Sequence, residues 1–276
     1  MAVGLARLRS PQQLYEDWER AHWAAQDVDL TRDRADWLAM SEEERGLLHW
    51  VLSSLMVAEE RISTQFCGLV LAQDDEEEGS YLSTQLVDEV RHMQFYARFQ
   101  NEVVAEPAAI ARHVEQARQV LGAPFRRIFD EALVDAHERL RLDPRSREAK
   151  VDFVTIYHQV IEGTLGLTAS HFLLGFLEAR GALPGFADGY GRIAADEQRH
   201  IGYGTAFLQR AVTEDPAAAA LVRGRLLDLL PAVAESVSPP SEGAWDLLGV
   251  EDGELAAFAV DALARRLKII GVSLEG

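Results

Sequence analysis

Two pentapeptides in this chain could do metal chemistry: Asp88-Glu89-Val90-Arg91-His92 and Asp196-Glu197-Gln198-Arg199-His200. Each holds Glu-x-x-His, and each is preceded by Asp. On a helix, positions i and i+3 share a face, so the Glu and His of one copy can bind the same ion. A lone Glu-x-x-His arises by chance on solvated helices. Two copies of Asp-Glu-x-Arg-His in one chain are a strong signal. Carboxylate and imidazole donors suit iron and manganese, and the lack of thiolate argues against a cysteine-rich zinc site.

A helical bundle that holds two metals needs a further Glu from each of two other helices. Upstream of the first copy, Leu52, Leu55, Met56, Glu59, Ile62 and Phe66 follow helical spacing. That stripe contains Glu59 and leaves Glu60 off it. Upstream of the second copy, Glu162 is the only acid between Asp152 and Glu178. The expected ligands are therefore Glu59, Glu89, His92, Glu162, Glu197 and His200. Four carboxylates in a bundle core are very costly unless paired. Two divalent cations cancel them and leave both imidazoles as neutral donors. Asp88 and Asp196 are either solvated or accept the free ring N–H of the other copy's His, as carboxylates behind metal-bound His do. Arg91 and Arg199 either pair with these Asp residues or reach the surface.

The elements that must carry these groups are helices. Leu82 to Phe99 and Phe186 to Leu208 contain no Pro. Ser41-Glu-Glu-Glu44 is a capping box that opens a long helix towards Gln73, and Ser10-Pro11 opens an earlier one. Trp18, Trp23 and Trp37 anchor this entry segment on the bundle. Asp74 to Glu78 reads as a solvated acidic loop. Pro107, Gly122 and Pro124 punctuate two shorter helices reaching Leu142. The Glu162 helix stops at Gly181 and Pro184; Pro231 should end or kink a later helix. Pro239-Pro240 breaks the chain before a last helix over 251–270. No sustained β alternation occurs, so the chain is expected to be all-α, a four-helix bundle core with additional helices. Residues 1–276 form a single domain in this reading, with the metal-binding core over about 41–210.

A net charge of −18 argues against nucleic-acid binding, and one cysteine, Cys67, excludes a disulfide framework. The N-terminus shows no signal peptide, and no apolar stretch reaches transmembrane length. A soluble, cytoplasmic protein is the expectation.

From Ser41 to Leu208 the chain resembles the ferritin-like di-metal carboxylate superfamily, most closely the ribonucleotide reductase small-subunit-like ligand-binding oxidases. That family's pattern has a Tyr five residues before the third Glu, where Tyr157 stands. In the family this Tyr is ether-linked to a Val three residues after the first Glu; here the position is Ile62, a departure. Its β-carbon is also tertiary, so the bond remains chemically possible. The resemblance implies a Mn/Fe or Fe/Fe cofactor, O2 activation, a C–H bond oxidised, and a long-chain fatty acid held at the metals. A homodimer and an electron donor are the further expected partners.

Several residues keep two readings. Five positions are about 140° round an α-helix, so Tyr157 faces Glu162 only if a π-bulge lies between them. His158 is a hydrogen-bonded core His or an extra ligand. Tyr96 is a packed aromatic or a radical Tyr. Gly163, Gly166, Leu167 and Ser170 line an acyl channel or allow close helix packing. The rival functions are a ribonucleotide reductase radical-generating subunit, an acyl-carrier-protein desaturase and a non-catalytic metal- or lipid-binding bundle. The charge count generates a first test. Loading with divalent metal should raise the melting temperature above that of the apo protein, by mass action on the native state. Equal melting temperatures would refute a buried four-carboxylate site.

Overall fold

The computed structural model describes residues 8–73, 75–104, 115, 121–238, 243–251 and 253–274. Among the described residues there is no strand. The helices are α1 (Pro11–Arg20), α2 (Asp33–Ala39), α3 (Glu42–Gln65), α4 (Cys67–Leu71) and α5 (Glu76–Phe99), the last continued by a π turn, Gln100–Val104. Next come α6 (123–142) and α7 (Arg147–Arg180), each with a π-helical middle, Arg127–Ala132 and Thr155–Gly166. Then follow α8 (Pro184–Glu214), α9 (Ala217–Ser236), α10 (Ala244–Leu247) and α11 (Glu254–Ile270). In the centre α3 packs on α5, α5 on α8 and α8 on α7; α1 lies across α5, and α11 against α7 and α8.

Local sequence explains most boundaries. Ser10 and Ser41 close capping boxes with Gln13 and Glu44, each satisfying two amides at a helix start. Asp75 caps α5, and Glu76, Glu77 and Glu78 form its first turn. The acidic run is thus a helix start rather than the expected loop, because acidic side chains favour the positive end of the helix dipole; Asp74 lies outside the described residues. The helix opened by Ser41 stops at Gln65 and resumes as α4, short of Gln73. Pro231 does not end α9, which runs on to Ser236. The carbonyl its missing N–H would bond belongs to Leu227, which is exposed, so water can take its place. The expected break at Pro239-Pro240 and the first of the two short middle helices lie outside the described residues.

One expectation needs correcting. Helix α7 is long and apolar enough, by length and composition, to cross a membrane. Its apolar residues are taken up by the bundle: Val151 to Thr164 are buried, apart from Asp152 at the edge. A helix apolar on all sides is what a bundle centre demands.

The core has two apolar layers with a polar stratum between them. Along α5, Tyr81 and Leu82 belong to one layer, and Phe95, Tyr96 and Phe99 to the other. Along α8, Tyr203 and Leu208 lie in the first layer, and Phe186, Tyr190 and Ile193 in the second. Both pentapeptides fall between.

Leu183, at φ 50°, precedes helix α8 and gives it no side-chain cap. Its first amides are satisfied from α2. Gly185 N donates to Asp33 Oδ1 (2.9 Å), Phe186 N to Asp33 Oδ2 (2.6 Å) and Leu183 N to Asp36 Oδ2 (3.0 Å). Asp33 is fully buried. Asp33→Ala should strand two buried amides and destabilise the fold by roughly 2–4 kcal/mol, read by denaturant unfolding. A change below the error of that measurement would show that the cap is dispensable.

Candidate metal centre

Helix α3 brings Glu59 to the polar stratum, α5 brings Glu89 and His92, the π segment of α7 brings Glu162, and α8 brings Glu197 and His200. They form two overlapping groups: Glu59, Glu89, His92 and Glu197; and Glu89, Glu162, Glu197 and His200. Within each group the ligand atoms lie within 4.8 Å of one another, and every member is buried. Glu89 and Glu197 belong to both groups.

The imidazoles are oriented from behind. His92 Nε2 lies 3.2 Å from Asp196 Oδ2, and His200 Nε2 lies 3.2 Å from Asp88 Oδ2. Each pentapeptide's Asp thus holds the other's His. Asp196 is kept well below the ordinary carboxylate range: burial, which raises it, is outweighed by His92, Arg199 and Trp23. An ionised carboxylate only accepts, so Nε2 holds a proton directed at the Asp, and Nδ1 is the nitrogen turned to the centre, able to offer a lone pair where a cation takes the place of its proton. His92 Nδ1 is 3.6 Å from Glu59 and Glu89 and 3.4 Å from Glu197. His200 Nδ1 is 3.0 Å from Glu162 and 3.2 Å from Glu89.

The two Asp residues have further partners. Trp18 Nε1 donates to Asp88 (2.8 Å) and Trp23 Nε1 to Asp196 (2.9 Å). Arg91 pairs with Asp88 at 2.7 Å, Arg199 with Asp196, and Arg199 also reaches Asp88 at 3.3 Å. The Arg residues therefore neutralise the Asp residues, closing the alternative of a surface role. Neither Trp was an expected site residue. Each lies far from its partner in the chain, and tryptophan near an N-terminus reads only as an anchor.

The donor set fits cations. Glu59 Oε2, Glu89 Oε2, His92 Nδ1, Glu162 Oε2 and Glu197 Oε2 are buried without a hydrogen-bond partner. So many acceptors converging on one small space is untenable for polar groups alone. Burial holds Glu59 and Glu162 well above the usual carboxylate range. At Glu89 burial is outweighed by the hydrogen bonds to His200 and His92, and its pKa is depressed. Burial lowers both imidazoles, yet the surrounding carboxylates, Glu59 for His92 and Glu162 for His200, raise them well above ordinary histidine. This space attracts positive charge.

Tyr157 and Glu162 lie five residues apart within the π segment. The i→i+5 bonding of a π-helix stacks such positions one turn apart. Both face inward: the Tyr157 hydroxyl donates to Glu89 Oε1, and its ring lies 4.8 Å from that of Phe66. Burial, then Glu162 and Glu89, raise its pKa well above that of ordinary tyrosine, so it stays a phenol. Ile62 is buried in the same apolar layer, one turn before Phe66. Gln85, one turn before Glu89, reaches Tyr157 (3.1 Å), Glu162 (3.3 Å) and His158 (3.3 Å). It was not among the expected site residues, although its i−4 spacing from Glu89 was a usable signal.

His158 belongs to neither ligand group; burial and His200 push its pKa well down, leaving a neutral ring beside Gln85. Tyr96 packs among Phe95, Phe186 and Tyr190. The small-residue stripe divides. A Cβ at Gly163 would come within 2.6 Å of His158 O, on its own helix, and 2.8 Å of Arg266 Nε, so the missing side chain there accommodates the π turn and a neighbouring helix and not a ligand. Gly166 meets only its own helix, and Ser170 Oγ donates to Gly166 O.

A sequence model for the family described as ribonucleotide reductase, small chain, matches residues 9–232. Several solved structures of R2-like ligand-binding oxidase mutants have the same fold. One with an aerobically reconstituted Mn/Fe cofactor is 25% identical, with TM-score 0.85, covering 98% of this chain and 95% of that one. A second, with the cofactor reconstituted anaerobically, is 25% identical, with TM-score 0.84 and coverage of 98% and 96%. A third, also anaerobic, is 26% identical, with TM-score 0.81 and coverage of 96% and 94%.

The geometry sets the next test. Carefully loaded protein should hold two ions per chain by elemental analysis, and His200→Ala should lose at least one. Asp88→Ala removes the acceptor behind His200 and should weaken metal binding roughly 10–100-fold in chelator competition. Unchanged affinity in both variants would exclude this centre.

Proposed function

The chain belongs to the ribonucleotide reductase small-chain family, and from that premise we propose an oxygen-activating oxidase with a dinuclear Mn/Fe or Fe/Fe centre. The R2-like ligand-binding oxidases whose ferritin-like fold it shares carry Mn/Fe. The observation that carries the reading is the pair of four-donor groups sharing Glu89 and Glu197, with five converging atoms unsatisfied. Glu59 and His92 would hold one ion, Glu162 and His200 the other, and Glu89 and Glu197 both. The chemistry that bound ions supply is activation of O2 for cleavage of a C–H bond.

The protein's own part is positioning and shielding. Asp88 and Asp196 fix the imidazole tautomers, and Trp18, Trp23, Arg91 and Arg199 fix the Asp residues. The two apolar layers exclude water from the stratum between them. Gln85 donates to both Tyr157 and Glu162, which holds the phenol beside the carboxylates. Glu89 stands ready to accept the phenol proton.

The finer reading adds a long-chain fatty acid lying along Gly166, Leu167 and Ser170 with its head group towards the centre. Gly163 is left out because Arg266 covers it. It also adds an ether bond from Tyr157 Oη to the Ile62 β-carbon. Forming that C–O bond removes one hydrogen from each residue, two electrons and two protons in all, with O2 as the oxidant. Residues 1–276 are read as one domain of a soluble, cytoplasmic homodimer, re-reduced by a separate electron donor.

Peptide mass spectrometry tests the covalent step. After reduced metal and air, the peptides bearing Ile62 and Tyr157 should appear joined and lighter by two hydrogens; anaerobic and Tyr157→Phe samples should show none. Separate peptides under air would end the cross-link and leave the oxidase standing. Solvent extraction of the same protein should yield a long-chain carboxylic acid, and its absence would remove the lipid part of the reading.

A further inference from the structure

Arg266, on α11, is a buried cation held by neutral groups. It is 7% exposed, and among the described residues it enters no ion pair. Burial, then the neighbouring Arg265, push its pKa down to about 10, still cationic at neutral pH. Burying a charge without a counter-ion is costly, and is tolerated only where hydrogen bonds take up its protons. Here they do. Nε donates to Gln159 Oε1 (3.0 Å), Nη1 to Ala262 O (2.9 Å), and Nη2 to Thr164 Oγ1 (3.0 Å) and Gln159 O (3.4 Å).

Three of these four bonds end on Gln159 and Thr164. These residues stand five apart within the π segment Thr155–Gly166, the spacing of one π turn. Thr164 Oγ1 also donates to Gln159 O (2.7 Å). Glu162 lies inside the turn so gripped, and Tyr157 two residues before it. Gly163 completes the fit, because a Cβ there would meet His158 O of the π segment at 2.6 Å and the guanidinium at 2.8–2.9 Å. A π turn is much rarer than an α turn, so bonds from outside that span it bear on its register. The planar five-donor fork of Arg spans two residues of a wide turn from separate nitrogens; the compact ammonium of Lys carries its three donors on one atom and spans less.

We propose that Arg266 is a positioning residue: by clamping Gln159 to Thr164 it holds α7 in π register, and so aims Glu162 and Tyr157 at the metal centre. The link to metal rests on the reading of Glu162 as a ligand. The register itself does not.

Two measurements separate the claims. In metal-free protein, Arg266→Met should speed amide hydrogen exchange within 155–166 by about tenfold or more, with α3 and α5 changed by less than about twofold. In Mn(II) titrations followed by the EPR signal of the free ion, the same variant should lose about tenfold in affinity at one of two sites, that of Glu162 and His200, and keep the other. Arg266→Lys should not restore either readout in full. Gln159→Glu, which keeps an acceptor for the fork, should behave like the wild type. If Arg266→Met does not fold, Thr164→Val deletes one clamped acceptor and should show the same local pattern at about threefold. Exchange that is unchanged, or that rises equally in all four central helices, would overturn the clamp, as would equal weakening of both Mn(II) sites. Wild-type protein that binds fewer than two Mn(II) would instead sink the ligand assignment, leaving the exchange result to decide the register.

Discussion

Four carboxylates drawn together inside an apolar bundle govern this structure. Glu59, Glu89, Glu162 and Glu197 come from four helices and point their oxygens into one space. Carboxylates so placed repel one another and lose their hydration. The surrounding groups answer that charge in shells. The Nδ1 atoms of His92 and His200 face inward because Asp196 and Asp88 hold the opposite ring nitrogens. The Asp residues are in turn balanced by Arg91, Arg199 and two indole N–H groups. With the Asp–Arg pairs neutral as a set, the residual charge is the four Glu, which two divalent cations match.

The shape of helix α7 serves the same centre. An α-helix would turn Tyr157 away from Glu162. The π segment brings both inward, and it is stabilised from outside by Arg266, with Gly163 leaving space for the guanidinium. Two residues that read as unrelated, one in a small-residue stripe and one in the last helix, act on one turn. The entry segment has a comparable double role. Trp23 buries its ring against the bundle, Trp18 covers part of its own, and both use their N–H groups on the Asp residues, while Asp33 on α2 caps the start of α8. Fold and centre therefore share their contacts.

What the sequence determined by itself is local. The twin pentapeptides, the capping boxes at Ser10 and Ser41, and the helical stripe holding Glu59 are short-range patterns, set by 3.6-residue periodicity and by the bonding needs of helix ends. Glu162 was legible because it is a lone acid in an apolar run. The acidic run that opens α5 reads as a loop because charge alone does not separate a loop from a first turn, and α7 is longer in its apolar run than expected because a bundle-centre helix has a membrane helix's composition. Tertiary structure alone decided the rest: which Asp serves which His, that Gln85 joins Tyr157 to Glu162, that Gly163 belongs to Arg266, and that α7 widens to a π-helix. Each of these depends on groups from separate helices meeting at hydrogen-bond distance. Such meetings are fixed by the packing of whole helices against one another, and no spacing along one helix records them.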